Sequence, residues 1–335
     1  MDLKWRPMMA YRLSLFGKNN MCDFCMLLKA LASELIRGPS QKRGPLPIEL
    51  LGVDGIALAK AQGGAIDGPT AASYLYQSAR ISRVIQGKKL CLDFGCGTGV
   101  QLLQVAQLNP EIQFIAIDCE QTLIDRGQEN AKKMGLSNIE WLCDDVTRLA
   151  RLDDLVKKFK MKVDAVISTM TLHGLRDLKA LNDCFHQIEE LVGNEGAIYI
   201  EDFSRLRSSQ SIDFFVKRLG LLPQDRHFFD LIKAGMHSAF TFEELVQTTK
   251  ILKKTKAYST YPFRLLTIIK TPDRSLNLST RDKLLKLKYS LSRRAQGELK
   301  VLHFSLTLGG VKGDPFCTKK TLDVIRNFLK TNRCR

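Results

Sequence analysis

The sequence predicts an α/β fold built on a mostly parallel sheet with helices on both faces. Three observations carry that prediction. Apolar runs at 89–93, 113–118, 139–143, 163–168 and 196–201 alternate with helical patterns near 100–108, 121–134, 147–160 and 178–192. Strands separated by helix-length segments are the mark of successive βαβ units, because a parallel neighbour needs a long crossover. The stretch "KKLCLDFGCGTGVQLLQVA", residues 88–106, sets glycines at 95, 97 and 99 between the first strand and the first helix. Bare backbone there lets a ligand approach the carboxyl end of the sheet. Finally, 44% apolar residues in 335 suffice for a large packed core.

Taken in order, residues 1–70 read as helices joined by the Gly/Pro-rich stretch "RGPSQKRGPLP", with a second break at Gly63 and Gly64. Residues 71–86 read as a helix with Tyr74, Ser78, Ile81 and Ile85 on one side, and the strand–helix alternation follows. "FTFEELVQTTK" reads as another helix and "YPFRLLTIIK" as a late strand. After Pro272 the alternation stops. Residues 280–295 read as a basic helix, with Leu284, Leu287 and Leu291 on one arc and Lys283, Lys286, Arg293 and Arg294 on another. "VLHFSLTL", residues 301–308, alternates with period two and predicts a strand. Residues 318–331 predict a closing helix with Leu322, Ile325 and Phe328 on its apolar face. The chain thus divides into a helical N-terminal extension (1–70), a central domain (71–272) and a basic C-terminal extension (273–335).

The net charge of +16 is uneven: residues 76–205 carry 16 basic and 19 acidic side chains, whereas residues 273–335 carry 15 and 5. No apolar run is long enough to span a membrane. The opening "MDLKWRPMMAYRLSLF" is interrupted by Arg12 and lacks a clean cleavage site, so a cytoplasmic protein without membrane partners is expected. Nine scattered cysteines do not form a secreted disulfide framework. Cys22 and Cys25 form the one CxxC, and no second ligand pair at zinc spacing accompanies it, so no metal is expected and helix packing is the plainer reading.

The glycine turn reads G-C-G-T-G, whereas a dinucleotide fingerprint is GxGxxG and a Walker loop needs Gly-Lys-Ser/Thr. Acids at successive strand tips narrow the ligand. Asp93 precedes the glycines, Asp118 ends the second strand, where it can accept from a ribose diol, and Asp144 and Asp145 end the third, where an acid can accept from an adenine amine. One such acid is usually just a helix cap. Three tips together with the glycine loop favour a ligand site, at which the spacing disfavours a dinucleotide but leaves it open beside a nucleoside.

"LDFGCGTG", "IAIDCE", "CDDV", "VDAVISTMTLHGL" and "GAIYIEDFSR" resemble, in order, the motifs of class I S-adenosylmethionine-dependent methyltransferases, over roughly residues 75–272. "HSAFTFEEL" resembles a segment in a group of bacterial members. The resemblance implies a Rossmann-like, doubly wound, seven-stranded sheet, S-adenosyl-L-methionine as cofactor, and methyl transfer by in-line displacement. It implies that Asp93, Gly95, Cys96, Gly97 and Gly99 line the methionine part, and that Asp118, with Cys119 beside it, holds the ribose. Asp144 and Asp145 would lie at the adenine, Asp145 on its amine and Val146 on its ring through the backbone. Ser168 to Thr171 would face the sulfonium methyl. The terminal extensions have no counterpart in the minimal family domain.

The activated methyl carries the hard chemistry, so the protein must align an acceptor and exclude water. A general base is required where the acceptor arrives protonated, and His173 and His237 are the candidates. Tyr74 and Tyr76 could close over the cofactor, although a core-helix reading is plainer. The segment after the fourth strand, S-T-M-T-L-H-G, lacks the Asn/Asp-Pro-Pro-aromatic motif by which family members methylate exocyclic base amines, and no Pro-Cys nucleophile ends a strand. A small-molecule acceptor is therefore expected. The first alternative is a nucleic-acid acceptor bound through the basic residues 273–335. The second is a non-catalytic module that binds the cofactor or an RNA.

Overall fold

The computed structural model describes residues 29–34, 42–44, 70–218 and 226–316. Residues 29–34 are helical. There follow α1 (Ala71–Ile85), β1 (Leu90–Phe94), α2 (Val100–Leu108), β2 (Gln113–Asp118), α3 (Gln121–Lys133), β3 (Ile139–Cys143), α4 (Leu152–Phe159), β4 (Ala165–Thr169), α5 (Leu178–Val192) and β5 (Ala197–Phe203). Then come α6 (Ser209–Arg218), α7 (Arg226–Ser238), α8 (Phe242–Thr248), β6 (Lys256–Ser259), β7 (Leu266–Lys270), α9 (Leu278–Ser290) and α10 (Arg293–Leu308).

The seven strands form one sheet in the order β3-β2-β1-β4-β5-β7-β6. Pairing is parallel from β3 to β5, and β7 enters antiparallel between β5 and β6. This is the doubly wound, mostly parallel sheet that the alternation predicts. Its strands are buried on both faces because helices cover both. Along β1, Cys91 joins one apolar layer, while Leu90, Leu92 and Phe94 join the other. Strand order reverses at β1, so the crevice for a ligand opens beyond the carboxyl ends of β1 and β4.

Local chemistry sets the helix starts. Asp177 caps α5 by accepting from the Ala180 amide at 2.9 Å. Thr241 and Glu244 form a reciprocal capping box at α8, satisfying two otherwise orphaned backbone donors.

The C-terminal third differs from its sequence reading. Residues 301–308 are not a strand but the second half of α10. Ala295, Leu299 and Leu306 recur at helical spacing and are buried against α1, so the period-two alternation within 301–308 is a fragment of a 3.6-residue pattern. The basic helix expected over 280–295 is two helices, broken at Leu291–Ser292, where the Ser292 hydroxyl caps α10 by accepting from Ala295. Leu284, Leu291, Leu299, Leu306 and Phe316 belong to the same apolar layer as α1 and α2. Arg80, fully buried on α1, donates to Asp273 and to the carbonyls of Lys312 and Gly313, tying this segment to the sheet domain. The helix expected near 147–160 begins only at Leu152, because 144–151 are occupied by a turn with Leu149 at φ 50°. The closing helix at 318–331 and the Cys22–Cys25 pair lie outside the described residues. No described helix is long and apolar enough to cross a membrane.

Candidate functional site

The site begins where β1 ends. Gly95, Gly97 and Gly99 all have left-handed φ (73°, 54° and 76°), which a side chain would strain. At Gly95 a Cβ would also stand 2.0 Å from Thr171 Cγ2, so only glycine lets the loop after β4 meet the loop after β1. Thr171 Oγ1 lies 3.1 Å from the carbonyls of both Phe94 and Gly95, and the Ser168 hydroxyl donates to Phe94 O at 2.9 Å. Met170, between them, is held at φ 55°, a sparsely populated conformation for a non-glycine residue. Trp141 on β3 packs where a Cβ on Gly99 or Gly127 would stand, at 2.5 and 2.1 Å from its ring.

Asp93, inside the crevice, is 3% exposed. Among the described residues no donor hydrogen-bonds its carboxyl. Burial, reinforced by the charge of Asp118, pushes it up from 3.8 to about 8. Such a buried, unpartnered acid is stabilised by an incoming cation. Asp118 Oδ2 accepts from the Gly97 amide at 2.8 Å and Oδ1 from the Glu120 amide at 3.1 Å, so this acid braces the glycine loop. Burial raises Asp118 despite those bonds.

The paired acids at β3 separate in role. Asp144 is buried, and both its oxygens accept backbone amides, Oδ1 from Asp145 at 2.9 Å and Oδ2 from Arg151 at 2.7 Å. Asp145 is exposed and accepts from Thr147 through Oδ1. Val146 is buried beside it. Cys96 is half-buried in the loop, and Cys119 is exposed just past β2; burial raises both thiols.

A second cluster stands past β4 and β5. His173, in a short 3₁₀ turn (Leu172–Gly174), has Nδ1 2.7 Å from Asp202 Oδ1 at the end of β5. Its amide donates to Asp202 Oδ2 at 3.2 Å. Nε2 has no hydrogen-bond partner among the described residues. Gly235 on α7 makes room for the ring, since a Cβ there would sit 3.1 Å from Nε2. His237 is not part of this cluster. It lies at the end of α7 with its strongest charged neighbours Lys233 and Asp213, and burial lowers its affinity for a proton. Tyr76 is fully buried, bonding Arg80 through its hydroxyl, so it is a core residue.

Sequence reasoning did not single out Asp202, Trp141 or Arg43. Asp202 had a signal, an acid at a fourth strand tip. Trp141 had a weaker one, since Gly127 in mid-helix implies a close neighbour. Arg43 had none.

A family model described as a methyltransferase domain matches residues 85–253. Among curated relatives, a tRNA (guanine-N(7)-)-methyltransferase of Microcystis aeruginosa is 42% identical over 53 residues, 16% of this chain and 25% of that protein. A malonyl-[acyl-carrier protein] O-methyltransferase of Bacillus anthracis is 29% identical over 98 residues, 29% of this chain and 32% of that protein. The chain thus spans between a quarter and a third of these relatives. Among solved structures, the plantazolicin methyltransferase BpumL in complex with S-adenosylhomocysteine is 16% identical at a TM-score of 0.45, covering 61% of this chain and 86% of that one. An S-adenosylmethionine-dependent methyltransferase from Aquifex aeolicus is 14% identical at 0.43, covering 65% and 97%. The matched model spans half the chain, and with the ordered motifs and the sheet it shows that the chain belongs to the class I S-adenosylmethionine-dependent methyltransferases.

Proposed function

We propose that this enzyme transfers the methyl group to a small-molecule acceptor that arrives protonated, with His173 as general base. The observation that carries the reading is the His173–Asp202 pair. Asp202 accepts from both the ring Nδ1 and the main-chain N–H of His173, so Nδ1 carries the proton and Nε2 is left as an acceptor. Thr171, two residues before, touches the glycine loop, so base and cofactor loop share one wall.

The residues present fit the cofactor. Asp93 would meet the ammonium of its methionine part, a cation that favours the ionised carboxylate. The three glycines give backbone approach. Asp118, which braces Gly97, would hold the ribose hydroxyls, and Asp145 and Val146 would frame the adenine. Asp144, with both oxygens engaged by the backbone, positions that turn rather than touching the ligand. When bound, S-adenosylmethionine supplies an electrophilic methyl carbon and leaves as a neutral thioether. His173 Nε2 takes the acceptor's proton as its oxygen or nitrogen becomes nucleophilic, and Asp202 keeps the ring in register and stabilises the imidazolium.

The test supplies methyl-labelled cofactor to a cell extract split into nucleic acid, protein and metabolite fractions. Label should enter the metabolite fraction, and His173→Gln should lower the rate about 10²–10⁴-fold, the usual contribution of a general base. Label entering RNA alone would overturn the small-molecule reading.

A second reading, transfer to nucleic acid, has one observation in its favour. Residues 283–297 contain Lys283, Lys286, Lys288, Arg293 and Arg294 and no acid. Lys286, Arg293 and Arg294 are exposed beside Tyr289, the most exposed large hydrophobic side chain among the described residues. Cations in the first turn of α10 oppose its macrodipole, and a bound phosphate backbone would offset that. Some relatives are, by name, tRNA methyltransferases.

A further inference from the structure

The N-terminal segment makes a series of contacts with the loops that leave the carboxyl end of the sheet. Ala30 packs with Phe214 and Phe263, the latter in the β6–β7 turn. The Ser33 hydroxyl lies 3.0 Å from that of Ser208 and 3.1 Å from that of Ser211, after β5. Glu34 accepts from the amides of Arg207 and Ser208, at 3.0 and 3.2 Å, just ahead of α6.

Arg43 makes the strongest of these ties. Its guanidinium lies over the Phe240 ring, 4.1 Å from the centroid. It donates to four main-chain carbonyls: His173 at 3.2 Å, Leu175, Arg176 and Ser238. Three of the four lie within residues 173–176, in and just past the turn that carries His173. The next residue, Gly44, donates its amide to His237 O at 3.2 Å. Asp202 thus holds the amide and Nδ1 of His173, while Arg43 holds its carbonyl and those of Leu175 and Arg176. Every polar atom of His173 except Nε2 is fixed, from two sides. A rigid planar fork suits several carbonyls at once, which the single ammonium of lysine does not.

We propose that Arg43 is a positioning residue for His173, holding from one side the backbone that Asp202 holds from the other. This rests on the reading of His173 as general base and deepens it, because Arg43 and Asp202 together fix the backbone and ring from which Nε2 projects. Arg43 acts through the turn: it sets where Nε2 stands and keeps the histidine shielded. It is therefore coupled to His173 and independent of the glycine loop, which it does not touch.

The test uses the full chain, with S-adenosylhomocysteine as the probe. In the wild type, diethylpyrocarbonate should modify His173 far more slowly than His186, which is exposed on α5. In Arg43→Ala the His173-to-His186 ratio, read by peptide mapping, should rise about tenfold or more, as expected for local opening once charge-assisted bonds are lost. The ring nitrogens of His173, read by nitrogen-15 spectroscopy, should show one tautomer in the wild type and an exchanging average in Arg43→Ala. Arg43→Lys should restore part of the wild-type signature. S-adenosylhomocysteine affinity should stay within about twofold in both variants, since the cofactor loop is untouched.

Wild-type His173 reacting as fast as His186 overturns the shielding and with it the positioning role, and that measurement needs no variant to fold. Unchanged His173 nitrogen signals in a folded Arg43→Ala overturn the positioning role. Failure of the wild type to bind S-adenosylhomocysteine would instead sink the cofactor assignment, so the two failures are distinguishable.

Discussion

Asp93 offers the sharpest physical test of the site, through the substitution Asp93→Asn. The carboxyl ionises near 3.8 in an unfolded chain and is pushed up to about 8 in the folded protein, by burial first and by Asp118 second. The folded state therefore binds the proton more tightly than the unfolded state. The stability this contributes is complete below about pH 4 and is lost as pH rises through about 8. Near pH 7 the folded protein holds most of one proton on Asp93 and the unfolded chain almost none, giving a slope of about −1 kcal/mol per pH unit. Between about pH 5 and 7 the loss is roughly 2–3 kcal/mol, or roughly 3–5 °C in Tm for a chain of this size. Asn keeps the shape and removes the titration, so thermal scans of Asp93→Asn should be flatter over this range, with the variant the more stable form at about pH 8. Other buried acids, Asp118 and Glu201, titrate in both proteins, so the difference between the two curves is the quantity to read. Calorimetry in buffers of unequal ionisation enthalpy supplies the second arm. An ammonium arriving beside Asp93 should expel close to one proton near pH 7 in the wild type and none in the variant. Parallel stability curves and equal proton release would refute the reasoning, and with it the assignment of Asp93 to the amino group.

Three further outcomes are expected. Gly95→Ala should lower stability by about 2–5 kcal/mol, because a left-handed φ and a 2.0 Å clash with Thr171 act together; a near-native melting curve would contradict this. Asp118→Asn should weaken S-adenosylhomocysteine binding about tenfold to a hundredfold in calorimetry, as charge-assisted bonds to the ligand and to Gly97 are lost together. If the basic face of α9 and α10 carries nucleic acid, filter binding should fall steeply with salt, and Lys286→Glu with Arg293→Glu should flatten the log–log slope by about two units; no retention at low salt would remove the nucleic-acid reading.

The sheet was legible because parallel strands are buried on both faces and leave unbroken apolar runs, as in "LCLDF" and "FIAID". The last strand pair was half legible: "LTIIK" is wholly buried, but "KAYS" is a short edge strand with exposed Lys256, indistinguishable from a loop by composition. The error at 301–308 has the same root. Eight residues carry too few turns to separate a period of 2 from one of 3.6, and the buried Ala295 and Leu299 that decide it lie outside that window. The glycine loop and the acids at Asp93, Asp118 and Asp145 were legible as a local pattern. Arg43 was not, since its partners lie 130 or more residues away and are main-chain carbonyls, which any sequence supplies.

The same distinction explains why four strand-tip acids, alike in sequence, do different work. Asp144 accepts two amides and is satisfied by its own turn, so it shapes the loop. Asp118 accepts two amides, one from the glycine loop itself, and so couples ligand and loop geometry. Asp202 accepts from the Phe203 amide and pairs twice with one histidine, which on the proposed reading makes that ring a directed acceptor. Asp93 has no partner among the described residues, and burial makes that state unfavourable for a charge. Ligand binding is strongest where it relieves such a deficit, because the protein contributes an acceptor already desolvated and fixed in place. On the proposed assignment, the cofactor would be held by relieving the uncompensated burial of Asp93, and the chemistry set by the pair already formed at His173.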